Sequence, residues 1–161
     1  MYTRIGFGFD VHEFAVGRPL ILGGVSIPHE AGLLGHSDAD AVLHAIVDAM
    51  LGAAGLGDIG GHFPDTDPEH KDKDSRMFLT SVYQTIREHD FTIANVDVTI
   101  VTQAPRIRPH FEQMKKNIAT DLEIDSSRVN IKATTTEHLG FIGRKEGLAA
   151  WAAVALISAT D

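Results

Sequence analysis

Asp10-Val11-His12 sets a carboxylate and an imidazole two residues apart. In an extended chain residues i and i+2 point to the same side, so both side chains can converge on one ion. Carboxylate oxygen and imidazole nitrogen suit zinc, at about 2.0–2.2 Å. The same triplet also fits a solvated strand end. His44 lies in a segment of helical apolar spacing and can supply a third ligand. Three ligands from two elements leave zinc an open fourth position, as a catalytic site requires. His44 can equally be a partly buried helix residue and Asp40 an ordinary first-turn acid. Asp48 follows His44 by one helical turn, where it can accept a hydrogen bond from that ring or simply be solvated.

Further polar groups cluster in four places. His36 and Ser37 precede the same helix, whose free N–H groups favour a phosphate, although an ordinary N-cap reads the same way. Asp58, Asp65 and Asp67 lie in a loop rich in Gly, Pro and Asp. They can accept hydrogen bonds from sugar or polyol hydroxyls, or be surface filler, which composition alone favours. Thr102, Gln103, Ala104, Pro105, Arg106, Ile107 and Arg108 follow a strand, with two cations for a diphosphate and backbone for a base. A basic strand-to-helix connection has the same composition. Thr134, Thr135 and Thr136 offer hydroxyls and N–H groups to phosphate oxygens, Glu137 a carboxylate to a hard cation, and Arg144 a fork to phosphate. A threonine-rich strand end is the plain alternative.

Several chemistries are excluded. The chain has no cysteine, so disulfides, thiolate zinc sites and a cysteine nucleophile are ruled out. Gly6-x-Gly8 is not followed by the rest of a dinucleotide fingerprint, and there is no Walker A or G-x-S-x-G sequence. The net charge of −8 argues against a nucleic-acid surface. A phosphorylated small molecule would need local cations. No apolar run reaches the roughly 20 residues of a membrane span, and no signal sequence opens the chain, so a cytoplasmic protein is expected.

The elements that position these groups follow from periodicity. Strands are predicted over residues 3–9 and 20–27, the first ending in the Gly6–Asp10 stretch. A strong helix is predicted over 38–56, where Val42, Leu43, Ile46, Val47, Met50 and Leu51 recur at three- and four-residue spacing, with Ser37 as N-cap. Residues 57–74 read as a long functional loop. Helices over 75–89 and 109–122 alternate with strands over 96–101 and 129–133. A last strand, 148–158, is apolar enough to be buried on both faces. This order predicts an α+β fold, a two-layer α/β sandwich of a mixed sheet with helices packed on one face, in one domain spanning 1–161.

Taken together, GFGFDVHEF, GGVSIP, GLLGHSDADAVLHAIVDAMLGAAGLGDIG, HFPDTDP, NVDVTIVTQAPRI and KATTTEHLGFIGRKEG resemble the 2-C-methyl-D-erythritol 2,4-cyclodiphosphate synthase family from end to end. The resemblance implies a cytoplasmic homotrimer with active sites between subunits. It implies Zn²⁺ on Asp10, His12 and His44, and Mg²⁺ or Mn²⁺ near Glu137. His36 and Thr135 would stabilise the transition state. Substrate would contact Asp10, Val11, His12, His36 and Ser37. The methylerythritol phosphate would lie against Asp58, Ile59, Gly60, Phe63, Pro64, Asp65, Thr66 and Asp67. Thr102 to Arg108 and Thr134 to Glu137 would surround the cytidine diphosphate, with Phe141 and Arg144 near the phosphates. Arg106 stands where the family often has lysine, which alters a point charge into a fork.

The implied reaction joins the substrate's 2-phosphate to its own β-phosphorus and releases CMP. The nucleophile is then the substrate's, in keeping with the lack of a protein nucleophile motif. Two other classes fit parts of the pattern. A zinc hydrolase would use the same ligands. A trimeric binding protein could hold a prenyl diphosphate in a central channel lined by Phe9, Phe141, Arg144 and Glu146.

Overall fold

In the computed structural model, residues 1–158 are described; 159–161, the end of the predicted domain, lie outside the described residues. The first strand, β1 (Thr3–Val16), runs well past the predicted end at residue 9. Asp10 and His12 therefore lie within a strand and not at its tip. The predicted strand over 20–27 is instead a hairpin of β2 (Leu20–Leu22) and β3 (Val25–Ile27), a separate two-stranded sheet. Gly23 and Gly24 turn it at φ of 56° and 70°, values that glycine adopts without Cβ strain. A short strand that the periodicity does not reveal, β4 (Ala31–Leu33), pairs antiparallel with the end of β1.

The helix α1 spans Ala41–Ala54. Its N-cap is Asp40, whose carboxylate accepts from the Leu43 N–H at 3.1 Å; Ser37 lies three residues too early for that role. Gly55 ends it in the left-handed conformation. Leu43, Ile46, Val47, Met50 and Leu51 are fully buried, and each such side chain adds roughly 1.5–3 kcal/mol. The buried surface of α1 is interrupted along one stripe by His44, Asp48 and Gly52, spaced by four.

The predicted loop over 57–74 contains a short helix, α2 (Ile59–His62), and a 3₁₀ turn at Pro68–His70. Both begin with an aspartate cap, Asp58 and Asp67, so acids that read as filler organise the loop. Beyond it lie α3 (Ser75–Glu88), β5 (Phe91–Val101), α4 (Phe111–Asp121), β6 (Val129–Thr134), α5 (Gly140–Gly143) and β7 (Gly147–Ser158).

The main sheet has the order β4-β1-β7-β5-β6, mixed because β5 and β6 run parallel while the other pairs are antiparallel. Helix α1 lies across β1 and β7, while α3 contacts β5 and α4 contacts β6. The helical layer covers one face, as the sequence predicts. The other face is open in the single chain, so within one chain β7, expected to be buried on both faces, is covered on one only. Ala150, Ala152 and Val154 are buried, but Trp151 is 44% exposed beside Phe9, with ring centroids 4.7 Å apart. Ile5 and Phe7 extend the same exposed apolar surface. Among the described residues no helix is long and apolar enough to cross a membrane.

Candidate active site

The site begins with two glycines. On β1, Gly6, Gly8, Asp10 and His12 share the face turned toward α1. A Cβ on Gly6 would meet the Ala49 carbonyl oxygen at 2.0 Å. The missing side chains let the helix lie directly on the strand, and the next turn brings His44 over Asp10. This is the purpose of the Gly6-x-Gly8 pattern, which serves helix packing and not a dinucleotide.

Asp10, His12 and His44 each present a ligand atom, all within 4.8 Å of one another. Asp10 Oδ2 lies 2.8 Å from His12 Nε2 and 3.1 Å from His44 Nδ1. His12 Nδ1 lies 2.8 Å from the Leu34 carbonyl oxygen, which can only accept, so Nδ1 carries a ring proton and Nε2 is the nitrogen that can ligate when the ring is neutral. The Nε2 atom is buried and is not satisfied by a hydrogen bond, although Asp10 Oδ2 lies 2.8 Å away. Burial acts to raise the Asp10 carboxyl, but its contacts with His12 and His44 and their charge outweigh this and hold it below the ordinary value. Burial acts to lower the His12 imidazole, yet Asp10 raises it above its usual range. A partnerless ring nitrogen aimed at a carboxylate and a second imidazole fits a divalent metal of the zinc type.

Asp48 does not accept from His44. Its carboxylate takes the Ile59 N–H at 2.7 Å and so fixes the start of α2 against α1. His44 Nε2 instead lies 2.8 Å from Ser75 Oγ and 3.3 Å from Ser37 Oγ.

A cavity of about 260 Å³ opens beside the triad, lined by Asp10, His12, His36, Ser37, His44, Ile59, Gly60, Phe63 and Asp65 among the sequence-derived residues. His36 and Ser37 reach it from a loop and not from a helix end. The true N-terminus of α1 is buried under the Asp40 carboxylate, which leaves no room there for a phosphate. Gly35, His70 and Phe78 also line the cavity.

A second cavity, about 400 Å³, is lined by Thr102, Gln103, Pro105, Arg106, Ile107, Arg108, Thr134 and Thr135, with Pro109, Phe111 and Ala133. It forms where parallel β5 and β6 end together, Val101 opposite Thr134. The two cavities share no lining residue. Ala104 is the one member of its segment outside this lining, and its carbonyl accepts from Thr102 Oγ1 at 2.6 Å. Val11 is exposed, on the sheet face opposite Asp10 and His12. Asp58, Pro64, Thr66 and Asp67 stay outside the first cavity, and Thr136, Glu137, Phe141 and Arg144 outside the second. Glu137 has φ of 52° and its N–H donates to Thr135 Oγ1 at 3.1 Å. The Arg144 guanidinium is paired with Glu146 at 3.1 and 3.2 Å.

Residues 3–157 match the YgbB family. The chain belongs to that family. Among the proteins it resembles is the 2-C-methyl-D-erythritol 2,4-cyclodiphosphate synthase of a Geobacillus strain, 60% identical over 95% of this chain and 97% of that one. The fold matches "IspF (Plasmodium falciparum) CDP complex" with a TM-score of 0.87 and 38% identity, over 99% of this chain and 100% of that chain. It also matches the bifunctional IspDF of Campylobacter jejuni, at a TM-score of 0.94 and 48% identity. There it covers 98% of this chain but spans 42% of the longer one.

Four residues of this YgbB chain escape a sequence reading. His70 and Phe78 stack around Phe63, with centroid distances of 5.6 Å for His70–Phe63 and 4.6 Å for Phe63–Phe78. They read as a loop histidine and a helix-core phenylalanine, and no spacing rule joins them. Asp38 and Ser75 lie 37 residues apart and meet only in three dimensions.

Proposed function

We infer that this chain converts 4-diphosphocytidyl-2-C-methyl-D-erythritol 2-phosphate to 2-C-methyl-D-erythritol 2,4-cyclodiphosphate and CMP, a step of isoprenoid precursor biosynthesis. The observation that carries the reading is the Asp10–His12–His44 triad beside a cavity, in a chain 60% identical to curated synthases of that name. An oxygen of the substrate's 2-phosphate forms a bond to the β-phosphorus. The bond from that phosphorus to the bridging oxygen breaks, and CMP leaves with the electron pair.

The protein's task is to hold two anionic groups in line, which is most of the catalysis in phosphoryl transfer. Asp10, His12 and His44 would hold Zn²⁺, which would supply Lewis-acid chemistry toward the phosphates. Glu137 would hold a second divalent ion, Mg²⁺ or Mn²⁺, which would offset phosphate charge. His36 and Thr135 face the transferring group. Ser37, Ile59, Gly60, Phe63 and Asp65 hold the methylerythritol phosphate in the smaller cavity, with Asp58, Pro64, Thr66 and Asp67 at its margin. Residues 102–108 and 134–137 hold the cytidine diphosphate in the larger one. Arg106 and Arg108 are exposed there and carry fork-like positive charge to the diphosphate. Phe141 and Arg144 approach the phosphates from a neighbouring segment.

The whole of 1–161 works as one domain in a cytoplasmic homotrimer whose active sites lie between copies. Two observations support this. The cavities share no lining residue, so a complete site is easily made from two chains. The open sheet face displays Ile5, Phe7, Phe9 and Trp151, an apolar surface suited to burial. A prenyl diphosphate is the candidate occupant of the trimer's central channel. The test is loss of both bound zinc and CMP release in Asp10→Asn and His44→Ala; full activity in a zinc-free variant would overturn the reading.

A further inference from the structure

His44 has two ring nitrogens, and what decides which one faces the metal lies outside the triad. We propose that Asp38 and Ser75 form a positioning relay that fixes the proton of His44 on Nε2 and turns Nδ1 toward Asp10 and the ion. The proposal rests on the metal reading above and extends it to two residues that touch neither metal nor substrate cavity.

The argument is one of donor and acceptor polarity. Asp38 Oδ1 takes the Ser75 hydroxyl in a short hydrogen bond and the Asp40 N–H at 3.1 Å, while Oδ2 takes the Ser75 N–H at 3.0 Å. Three donors converge on this group, so it acts as an acceptor throughout. A hydroxyl has a single proton. With that proton committed to Asp38, Ser75 Oγ can only accept from His44 Nε2, 2.8 Å away. Ser37 Oγ, 3.3 Å from the same nitrogen, accepts the Ala39 N–H and does not compete as a donor toward Asp38. The ring proton then belongs on Nε2, and the lone pair on Nδ1 points to Asp10 Oδ2 at 3.1 Å. Ser75 is fully buried and is the first residue of α3, so the relay is built on a fixed helix start. Asp38 sits just ahead of α1 and is tied by its own N–H to the Lys73 carbonyl at 3.2 Å. The relay therefore joins the two helices behind the ligand. Outer hydrogen bonds of this kind typically alter metal affinity by about 10- to 100-fold.

The experiment uses the full chain, stripped with chelator and titrated with zinc against a competing chelator. It is run on wild type, Ser75→Ala, Ser75→Thr and Asp38→Asn, with urea unfolding to establish that each is folded. Ser75→Ala is expected to weaken zinc about 10- to 100-fold, and Asp38→Asn to weaken it in the same direction. Ser75→Thr, which keeps the hydroxyl, should stay near wild type. In the zinc-loaded wild type, ¹⁵N-histidine spectra should show a His44 Nε2–H protected from exchange, and Ser75→Ala should lose that protection. Asp38→Asn carries the test if Ser75→Ala does not fold. Wild-type zinc affinity in folded Ser75→Ala and Asp38→Asn, with the Nε2–H still protected, would overturn the relay while leaving the metal reading intact. Failure of the wild type itself to take up zinc would overturn both.

Discussion

A Cβ placed on Gly8 would stand 1.8 Å from the carbonyl oxygen of Ala45, the residue next to His44. Strand β1 and helix α1 thus touch backbone to backbone, and this contact sets how far His44 sits from Asp10.

Gly8→Ala should accordingly separate the two elements. No flexible side chain can yield, because the obstacle is main chain. A loss of about 3 kcal/mol or more in urea unfolding is expected, with less than stoichiometric zinc. Wild-type stability with full zinc would show that the helix can move without cost.

Asp40 predicts a pH effect on stability. Burial, aided by the nearby Asp38 charge, pushes its carboxyl from 3.8 up to about 6, against the N–H groups of Gly24, Leu43 and Gly23. The folded value lies above the unfolded one, so the protonated group favours the folded state. That contribution is complete below about pH 3.8 and is lost as pH rises through about 6. Between these limits wild type should lose roughly 3 kcal/mol relative to Asp40→Asn, which cannot titrate. Urea unfolding of both proteins across this range measures the gap. A gap that stays constant or widens in favour of wild type contradicts the assignment.

Arg76 meets Asp121 through two parallel bonds of 2.8 Å and ties α3 to α4. Arg76→Lys keeps the charge but loses the fork, and should cost about 1–2 kcal/mol in the urea midpoint. No change would mean that a point charge is enough.

How much of this was legible in the sequence depends on distance along the chain. Asp10 and His12 could be paired from a strand's period of two, and the apolar spacing marked α1 down to its core residues. Their joint role with His44 came from the family resemblance, because a carboxylate and two histidines at these spacings are individually commonplace. The cap went to Asp40 and not Ser37 because Asp40 also accepts the N–H groups of Gly23 and Gly24 from a distant hairpin. Asp48 turned to the Ile59 N–H at the start of α2, while both ring nitrogens of His44 lie against Asp10 and Ser75. The apolar run of β7 hid the open face, since small alanines read as buried whether or not a layer covers them.

The open face gives a prediction about assembly. Phe7→Asp or Trp151→Glu puts charge into the surface proposed to join the subunits. Sedimentation should show a trimer for wild type and a smaller species for the variants. Because Trp151 is the chain's single tryptophan, its emission should shift to the red in Phe7→Asp as the trimer separates. A monomeric wild type, or variants that remain trimeric, would place the interface elsewhere.

The most direct test of the account is ³¹P NMR of the products formed by the purified chain from the cytidine diphosphate substrate. It is run with chelator, then after zinc and magnesium are restored. A cyclic diphosphate and CMP should appear only when metal is restored, and should be absent in His44→Ala under all conditions. A linear monophosphate formed with consumption of water would identify a zinc hydrolase instead. Cyclic product at full rate in the chelated protein would contradict the role assigned to Asp10, His12 and His44.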